Sequence, residues 1–449
     1  MKEIIPQKLN ELAQKLEKPL YVVGGTCRDY IAGLSPVLND WDICAAVKAE
    51  SLCDAAKAAG FEITAVYKRT GTVCLRADGC EYEYTCFRTD RYVRGAHSPE
   101  AVFFTDDISL DARRRDFKCN AIYYDIKAEK FVDPLGGTED AKRAILDTVA
   151  PAEKVFGEDG LRLMRLCRIA AQTGFVPTEE CEEGALINVR LIDDIAAERV
   201  FKELELILHA DEKYGISGGQ YRGLKLLLRI GVMERILPEL AEGDGMAQRA
   251  DYHSHDVLEH SLRCVLYARQ NVRLAALLHD VGKPYCMKNT GRFAMHEVEG
   301  ARIARDICAR LRVSKRETER VCTLTSLHMY DLSCQAGENK VRKFIVAHLD
   351  VLDDLLLLKQ ADYSACKDDL SVAPCVAKWQ KILAKMKEEG VPLNFKQLAV
   401  RGDELISCGI DKREVGKALS FLLGECAIDA RLNVKEKLTR LALARFAQR

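Results

Sequence analysis

Gly24-Gly25-Thr26-Cys27-Arg28-Asp29, followed eleven residues later by Asp40-Trp41-Asp42, decides how this chain is read. The glycine pair ends an apolar run, Leu20 to Val23, and opens a helix. Backbone N–H groups at a helix start point outward and the helix dipole favours anions there, so such a turn suits phosphate. Asp40 and Asp42 stand at i and i+2 of a predicted strand, where side chains alternate and both carboxylates leave one face. Two carboxylates on one face repel unless a cation sits between them, and hard oxygen ligands suit Mg2+. A phosphate cradle beside a carboxylate pair meets the needs of two-metal nucleotidyl transfer. A tight turn plus a solvated acidic strand end would explain either half alone, but not the two together at this spacing.

Working outward, residues 1 to about 142 mix strands with helices. Tyr21-Val22-Val23, Trp41 to Cys44, Thr72 to Leu75, Tyr82 to Thr85 and Asn120 to Tyr124 are predicted strands, with β-branched or aromatic residues between turn signals. Residues 51–59 read as helix. From about 143 onward the pattern is helical. Leu161, Met164, Leu166, Ile169 and Ala170 keep an amphipathic period, as do Val200, Leu204, Leu206, Ile207 and Leu208. Breaks fall at Gly215 to Gly219, at Glu242 to Gly245, at Pro374 and at Gly390-Val391-Pro392. The fold class is therefore α+β: an α/β head at 1–142, a helical neck at 143–245, a histidine-rich body at 246–370 and a helical tail at 371–449.

Composition narrows the function. With 48% apolar and 30% charged residues the 449-residue chain is an ordinary globular protein of several domains. A net charge of −1 argues against a broad basic surface, so nucleic-acid binding must come from local patches. The tail supplies one, with 15 Lys and Arg against 9 Asp and Glu in residues 371–449. The 18 Cys form no Cys-x-x-Cys pair, which fits reduced thiols in a cytoplasm. No apolar run approaches the ~20 residues of a membrane span, so no membrane partner is expected.

Five blocks then stand in order: Gly24-Gly25-x-x-Arg28-Asp29 with Asp40-x-Asp42; Glu83, Phe87-Arg88 and Tyr92; Arg113-Arg114-Arg115-Asp116-Phe117-x-x-Asn120-Ala121; Asp133-Pro134-x-Gly136-Gly137-x-x-Asp140; and Glu158-Asp159-x-x-Arg162 with Arg165 and Arg168. In these blocks the chain resembles the bacterial class II tRNA nucleotidyltransferase and poly(A) polymerase family, and Arg401-Gly402-Asp403, Gly409, Val415-Gly416 and Asn433 extend the likeness into a tRNA-binding tail. The resemblance implies addition of C, C and A to a tRNA 3′ end from CTP and ATP. Asp40 and Asp42 would hold Mg2+, with Glu83 as a third acid. Gly24, Gly25 and Arg28 would hold the triphosphate, while Arg114, Asp116 and Asn120 contact ribose and phosphate. Asp159 and Arg162, read as one face of a helix, would act as a protein template, since a carboxylate accepts from the amino groups of cytosine and adenine and a guanidinium donates to their ring acceptors. Arg165 and Arg168 would add base or phosphate contacts. The segment from Arg91 to Thr105 matches the family's flexible loop, with Tyr92, Pro99 and Val102 in place and Val93-Arg94-Gly95-Ala96 departing from the usual charged pair. The expected partner is the tRNA acceptor arm, not DNA.

The middle of the chain resembles HD metal-dependent phosphohydrolases: His260, His279-Asp280 and Asp362, with His296 and His328 further on. The likeness implies a second divalent metal there. Two rivals follow from these motifs: a relative that adds only A, only CC or a poly(A) tail, and an enzyme whose main activity is HD phosphohydrolysis. A non-catalytic RNA-binding protein would not need the Asp40/Asp42 pair.

Overall fold

The computed structural model describes residues 1–35, 38–91 and 100–446. They fall into two compact units, residues 1–241 with 310–313 and residues 242–309 with 314–449.

The first unit opens with strands β1 (Tyr21–Val23), β2 (Asp40–Ala45), β3 (Glu62–Tyr67), β4 (Thr72–Ala77), β5 (Cys80–Cys86), β6 (Arg88–Arg91), β7 (Ala101–Phe104), β8 (Tyr123–Asp125) and β9 (Lys130–Val132). Seven form one sheet in the order β3-β4-β5-β2-β1-β8-β9, and β6 with β7 makes a separate ribbon. Every pairing in the large sheet is antiparallel except β2 with β5. That parallel register sets Asp42 beside Glu83 and Asp40 beside Glu81. Along β2 the alternation is strict at its start: Asp40 and Asp42 are exposed, and Trp41 between them is fully buried. The Trp41 indole N–H donates to the Leu38 carbonyl at 2.9 Å. This large apolar anchor, pinned at its one polar atom, turns the two acids outward.

The predicted strand at Asn120–Tyr124 is shorter in the structure. Lys118–Asn120 forms a 3-10 turn, and β8 begins at Tyr123. The cause is the Asn120 side chain, which is bonded on both sides to Arg28 and Asp116. The other strands and the helix Ala49–Ala58 lie where the pattern puts them. Tyr92, Pro99 and Val93 to Ala96 lie outside the described residues, while Val102 is on β7.

Helices Leu161–Thr173, Ala197–Leu208 and Gly219–Arg229 pack against one another in the rest of this unit. The first buries Leu163, Met164, Leu166 and Ile169, as its apolar spacing demands. The second buries Val200, Leu204, Ile207 and Leu208 but leaves Leu206 at the surface. The short helix Ala210–Tyr214 lies between the second and third.

The second unit is helical throughout its described residues. Val257–Tyr267, Arg273–Leu278, Gly282–Thr290, Lys315–Leu327 and Leu352–Lys367 carry or flank the histidines. Pro374–Glu388, Gly402–Ser407, Val415–Ile428 and Lys435–Phe446 form the tail. Asn433 fastens that tail, accepting from the Ala399 N–H at 2.7 Å and donating to the Gln397 carbonyl at 2.9 Å. Among the described residues, no helix is long and apolar enough to cross a membrane.

Candidate active site

Gly24 stands at φ 78° and ψ −140°, a backbone that side-chain-bearing residues avoid, and begins the helix Gly25–Ile31. A Cβ built on Gly24 would sit 3.0 Å from Asp42 Oδ2. The start of the phosphate-type helix is therefore packed directly on a carboxylate of β2. Asp42 has no hydrogen-bonding partner among the described residues, although its surroundings are crowded. That crowding first, then the negative charges of Glu83 and Asp40, push its carboxyl up to about 6, against the opposing pull of Arg115 and Arg165. Glu83 stands in register beside Asp42 and Asp40 lies two residues along the same strand, so these three carboxylates are the residues that could hold a hard divalent ion.

A hydrogen-bonded chain runs from this helix into the neck. Arg28 is 5% exposed. Its Nε and Nη2 donate to Asp29 Oδ1 at 2.8 and 2.6 Å, and its Nη1 donates to Asn120 Oδ1 at 2.8 Å. The Asn120 amide donates to Asp116 Oδ1 at 3.0 Å. Asp116 Oδ2 accepts from Arg165 Nε and Nη2 at 2.8 and 2.6 Å. Burial would raise the Asp116 carboxyl, but Arg165 and Asn120 overcome it and hold it below the usual carboxylate range. Arg168 donates to Glu203 Oε2 at 2.5 Å. Arg114 donates from Nε to Asp111 Oδ1 at 2.7 Å, and Arg115 reaches the other Asp111 oxygen at 3.1 Å.

Arg28 is held at the start of this helix by Asp29 and Asn120, and its Nη2 also reaches the Tyr214 hydroxyl at 3.4 Å. One sequence expectation changes here. Asp159 and Arg162 are not two residues of one helix face. Asp159 is extended (φ −147°), and its Oδ1 accepts from the Leu161 N–H at 3.0 Å at the mouth of the helix Leu161–Thr173. Arg162 is buried, with Nη1 on Glu158 Oε2 and the Val155 carbonyl, both at 2.8 Å, and Nη2 on the Arg114 carbonyl at 2.8 Å. The physical reason is Asp159 itself, which is extended and bonds the Leu161 N–H, so the helix starts at Leu161; at Gly160 the chain passes close to the Leu191 carbonyl, which a Cβ would meet at 2.4 Å.

In the second unit, four predicted residues meet in a buried cluster. His260 Nε2 lies 3.1 Å from Asp362 Oδ1 and 3.2 Å from His279 Nε2, which is 3.2 Å from Asp280 Oδ2. His296 Nε2 is 3.1 Å from Asp280 Oδ1, and His328 Nε2 is 3.3 Å from His296 Nε2. Burial would raise Asp280, but His279 and Lys283 hold it well below the usual range. Lys283 Nζ sits 2.6 Å from Asp280 Oδ2 and donates to Gln248 Oε1 at 2.6 Å. Gly282 permits this convergence: a Cβ there would lie 2.2 Å from the His296 carbonyl. A cavity of about 690 Å³ opens beside the cluster, lined in part by Tyr252, Lys283, Phe293, Met329 and Tyr363.

Three family models match along the chain. Residues 20–147 match the family described as the poly A polymerase head domain, 174–243 the one described as the probable RNA and SrmB- binding site of polymerase A, and 251–355 the HD domain. The CC-adding tRNA nucleotidyltransferase of Thermus thermophilus is 30% identical over 440 residues, covering 94% of this chain and 92% of that one. The A-adding tRNA nucleotidyltransferase of Deinococcus radiodurans is 31% identical over 320 residues, covering 67% and 71%. The chain belongs to the tRNA nucleotidyltransferase family. Its fold is also that of the Bacillus stearothermophilus CCA-adding enzyme solved with CTP, at a TM-score of 0.67, 22% identity and 98% coverage of both chains. Members of this family are enzymes that use divalent metal.

Sequence reasoning passed over several residues of the head. Asp29 lay inside a quoted motif without a role, yet it takes the Arg28 guanidinium. Asp111, which pairs with Arg114 and Arg115 three and four residues on and accepts from the Tyr123 hydroxyl, was readable from that spacing; Glu203 gave no local signal, because its arginine lies 35 residues away. Tyr214 gave none either; its hydroxyl donates to Asp29 Oδ2 at 2.5 Å across 185 residues of chain.

Proposed function

We propose that this tRNA nucleotidyltransferase adds C, C and A, in that order, to the 3′ end of tRNA from CTP and ATP, without a nucleic-acid template. The observation that carries the reading is the packing of Gly24 on Asp42, with Glu83 in register beside it. It puts a phosphate-accepting helix start against a carboxylate group whose repulsion calls for a cation. Asp40, Asp42 and Glu83 hold Mg2+, which when bound lowers the pKa of the RNA 3′-hydroxyl and neutralises the leaving pyrophosphate. The 3′-oxygen attacks the α-phosphorus, the bond to the β-phosphate oxygen breaks, and pyrophosphate leaves. The protein positions and stabilises charge; it forms no covalent bond to the nucleotide.

The remaining residues orient the substrates. The amides after Gly24 and Gly25 face the triphosphate. Arg28, held beside Gly25 by Asp29 and Asn120, contributes its guanidinium to the triphosphate. Asp116, Asn120 and Arg114 lie on the ribose side, while Arg165, partly exposed beside Asp116, and Arg168 meet base or phosphate. Asp159 and Arg162 read the base edge. Asp159 keeps its second carboxylate oxygen unpartnered among the described residues, available to accept from the amino group of cytosine or adenine. Residues 1–142 carry the chemistry, 143–245 the base selection, and 371–449 grip the acceptor arm by shape and backbone, as RNA helices favour. tRNA and nucleotide pools make the cytoplasm the place of work.

The test is incorporation of each labelled NTP into tRNA transcripts ending before CCA, after the first C and after CC. Two C and then one A, with stopping, is the expected result. Only C, only A, or a long A tail would move the protein to the corresponding relative.

A second reading concerns the HD cluster. His296 and His328 each place Nδ1 against a carbonyl of their own chain, Phe293 at 2.8 Å and Thr325 at 2.6 Å. The two Nε2 atoms lie 3.3 Å apart, and both turn toward Asp280 Oδ1, at 3.1 Å from His296 and 3.6 Å from His328. Burial lowers the His328 pKa, which keeps that ring neutral. Imidazole nitrogens and carboxylate oxygens converging in one buried cluster suit a divalent cation, so the cluster is read as a divalent-metal phosphohydrolase site. Metal content measured after purification without chelator tests this, and a metal-free protein would refute it.

A further inference from the structure

The triphosphate needs positive charge, and most guanidinium groups of the head motifs are already engaged within the protein; Arg113, exposed at the end of the helix Ile108–Arg113, is the exception. Arg28 pairs with Asp29, Arg114 with Asp111, Arg162 with Glu158, Arg165 with Asp116 and Arg168 with Glu203. Lys213 is different. It lies on the short neck helix Ala210–Tyr214, is exposed, and has no hydrogen bond or ion pair among the described residues. Its Nζ stands 5.3 Å from the ring centroid of Tyr214. Tyr214 in turn is fastened to the phosphate-type helix, donating to Asp29 Oδ2 at 2.5 Å and accepting from Arg28 Nη2 at 3.4 Å. Crowding lowers the Lys213 pKa, and the charges acting on it are those of Asp29, Arg28, Arg168 and Asp40. The ammonium is thus carried over Tyr214, whose own hydroxyl is fastened to Asp29 on the helix Gly25–Ile31.

We propose that Lys213 is a triphosphate-binding residue that contacts the β- or γ-phosphate oxygens of incoming CTP and ATP, with Tyr214 as its positioning residue. The inference rests on the reading of the head as a nucleotidyl transfer site. Lysine suits this role as a compact charge with rotatable donors, which can follow the phosphates through successive additions.

The test uses the full-length protein with Mg2+. Lys213→Met keeps the apolar stem over Tyr214 and removes the charge. CTP and CMP binding are measured by calorimetry, and CTP and ATP kinetics with tRNA alongside. The expected result is a Kd for CTP raised about tenfold to a hundredfold, CMP binding within about twofold of wild type, and KM raised more than kcat is lowered. Lys213→Arg should recover most of the CTP affinity, and Tyr214→Phe should show a smaller rise in KM. Unchanged CTP binding in Lys213→Met overturns the inference. Equal loss of CTP and CMP binding also overturns it, because that pattern marks a structural role. Wild-type protein that binds CTP but incorporates nothing would sink the transfer reading instead, and the Lys213 result would then stand or fall on the CTP and CMP affinities.

Discussion

Asp42→Asn should stabilise the head while ending its chemistry. The side chain keeps its shape and loses only charge. A carboxyl raised from 3.8 to about 6 by crowding, Glu83 and Asp40 would cost about 3 kcal/mol if it were fully shielded. Asp42 is exposed, and solvent screening leaves about 1 kcal/mol. The sign follows from linkage: a carboxyl whose folded pKa is raised binds its proton more tightly in the folded state, so stability falls as pH rises from 3.8 through 6. The gain from Asn is complete above about pH 6, falls to about half near pH 5, and vanishes below about pH 4. The assay is urea unfolding followed by Trp41 fluorescence. Because the chain has only two Trp, Trp41 and Trp379, a Trp379→Phe background isolates the head. Mg2+ should stabilise the parent and leave Asp42→Asn unmoved, and nucleotide incorporation should be abolished in the variant. Asp42→Asn that destabilises the head equally at pH 7.5 and pH 4, or that still responds to Mg2+, would refute the picture of a repelling carboxylate group built for a cation.

Gly24→Ala puts a methyl group at φ 78° and 3.0 Å from Asp42 Oδ2; it should cost about 1–3 kcal/mol and lower kcat up to about a hundredfold by shifting the carboxylate, read by unfolding and by CTP turnover. Trp41→Ala should cost about 3–5 kcal/mol, measured by calorimetry, and lose Mg2+-dependent stabilisation as β2 loses its anchor. His328→Gln should lower the Mn2+ retained per chain, measured by mass spectrometry after dialysis, and an unchanged content would remove His328 from the metal cluster. Mg2+ affinity of the head should weaken as pH drops below about 6, where protons compete for Asp42; a flat profile from pH 7.5 to 5 would count against its role as a ligand.

The sequence by itself determined what local rules govern. Alternation along Asp40-Trp41-Asp42 is a property of any strand, so the two exposed acids around a buried indole were readable from three residues. The glycine pair before a helix, the amphipathic helices of the neck, and the order His260, His279-Asp280, Asp362 were readable for the same reason. What only the tertiary structure decided involves side chains meeting across long stretches of chain. That Arg28 is bonded by Asn120, from ninety-two residues away, could not be read from the motif that contains it. Asp159 and Arg162 were read as one helix face because three residues apart on a helix do share a face, but Asp159 is extended and bonds the Leu161 N–H, so the helix starts past it. Tyr214 and Lys213 carried no pattern at all, and their place beside Asp29 exists only because the neck folds back onto the head. Periodicity is written in neighbouring residues. The partner of a buried charge is chosen by whichever distant side chain the fold brings within about 3 Å, and no local spacing encodes that choice.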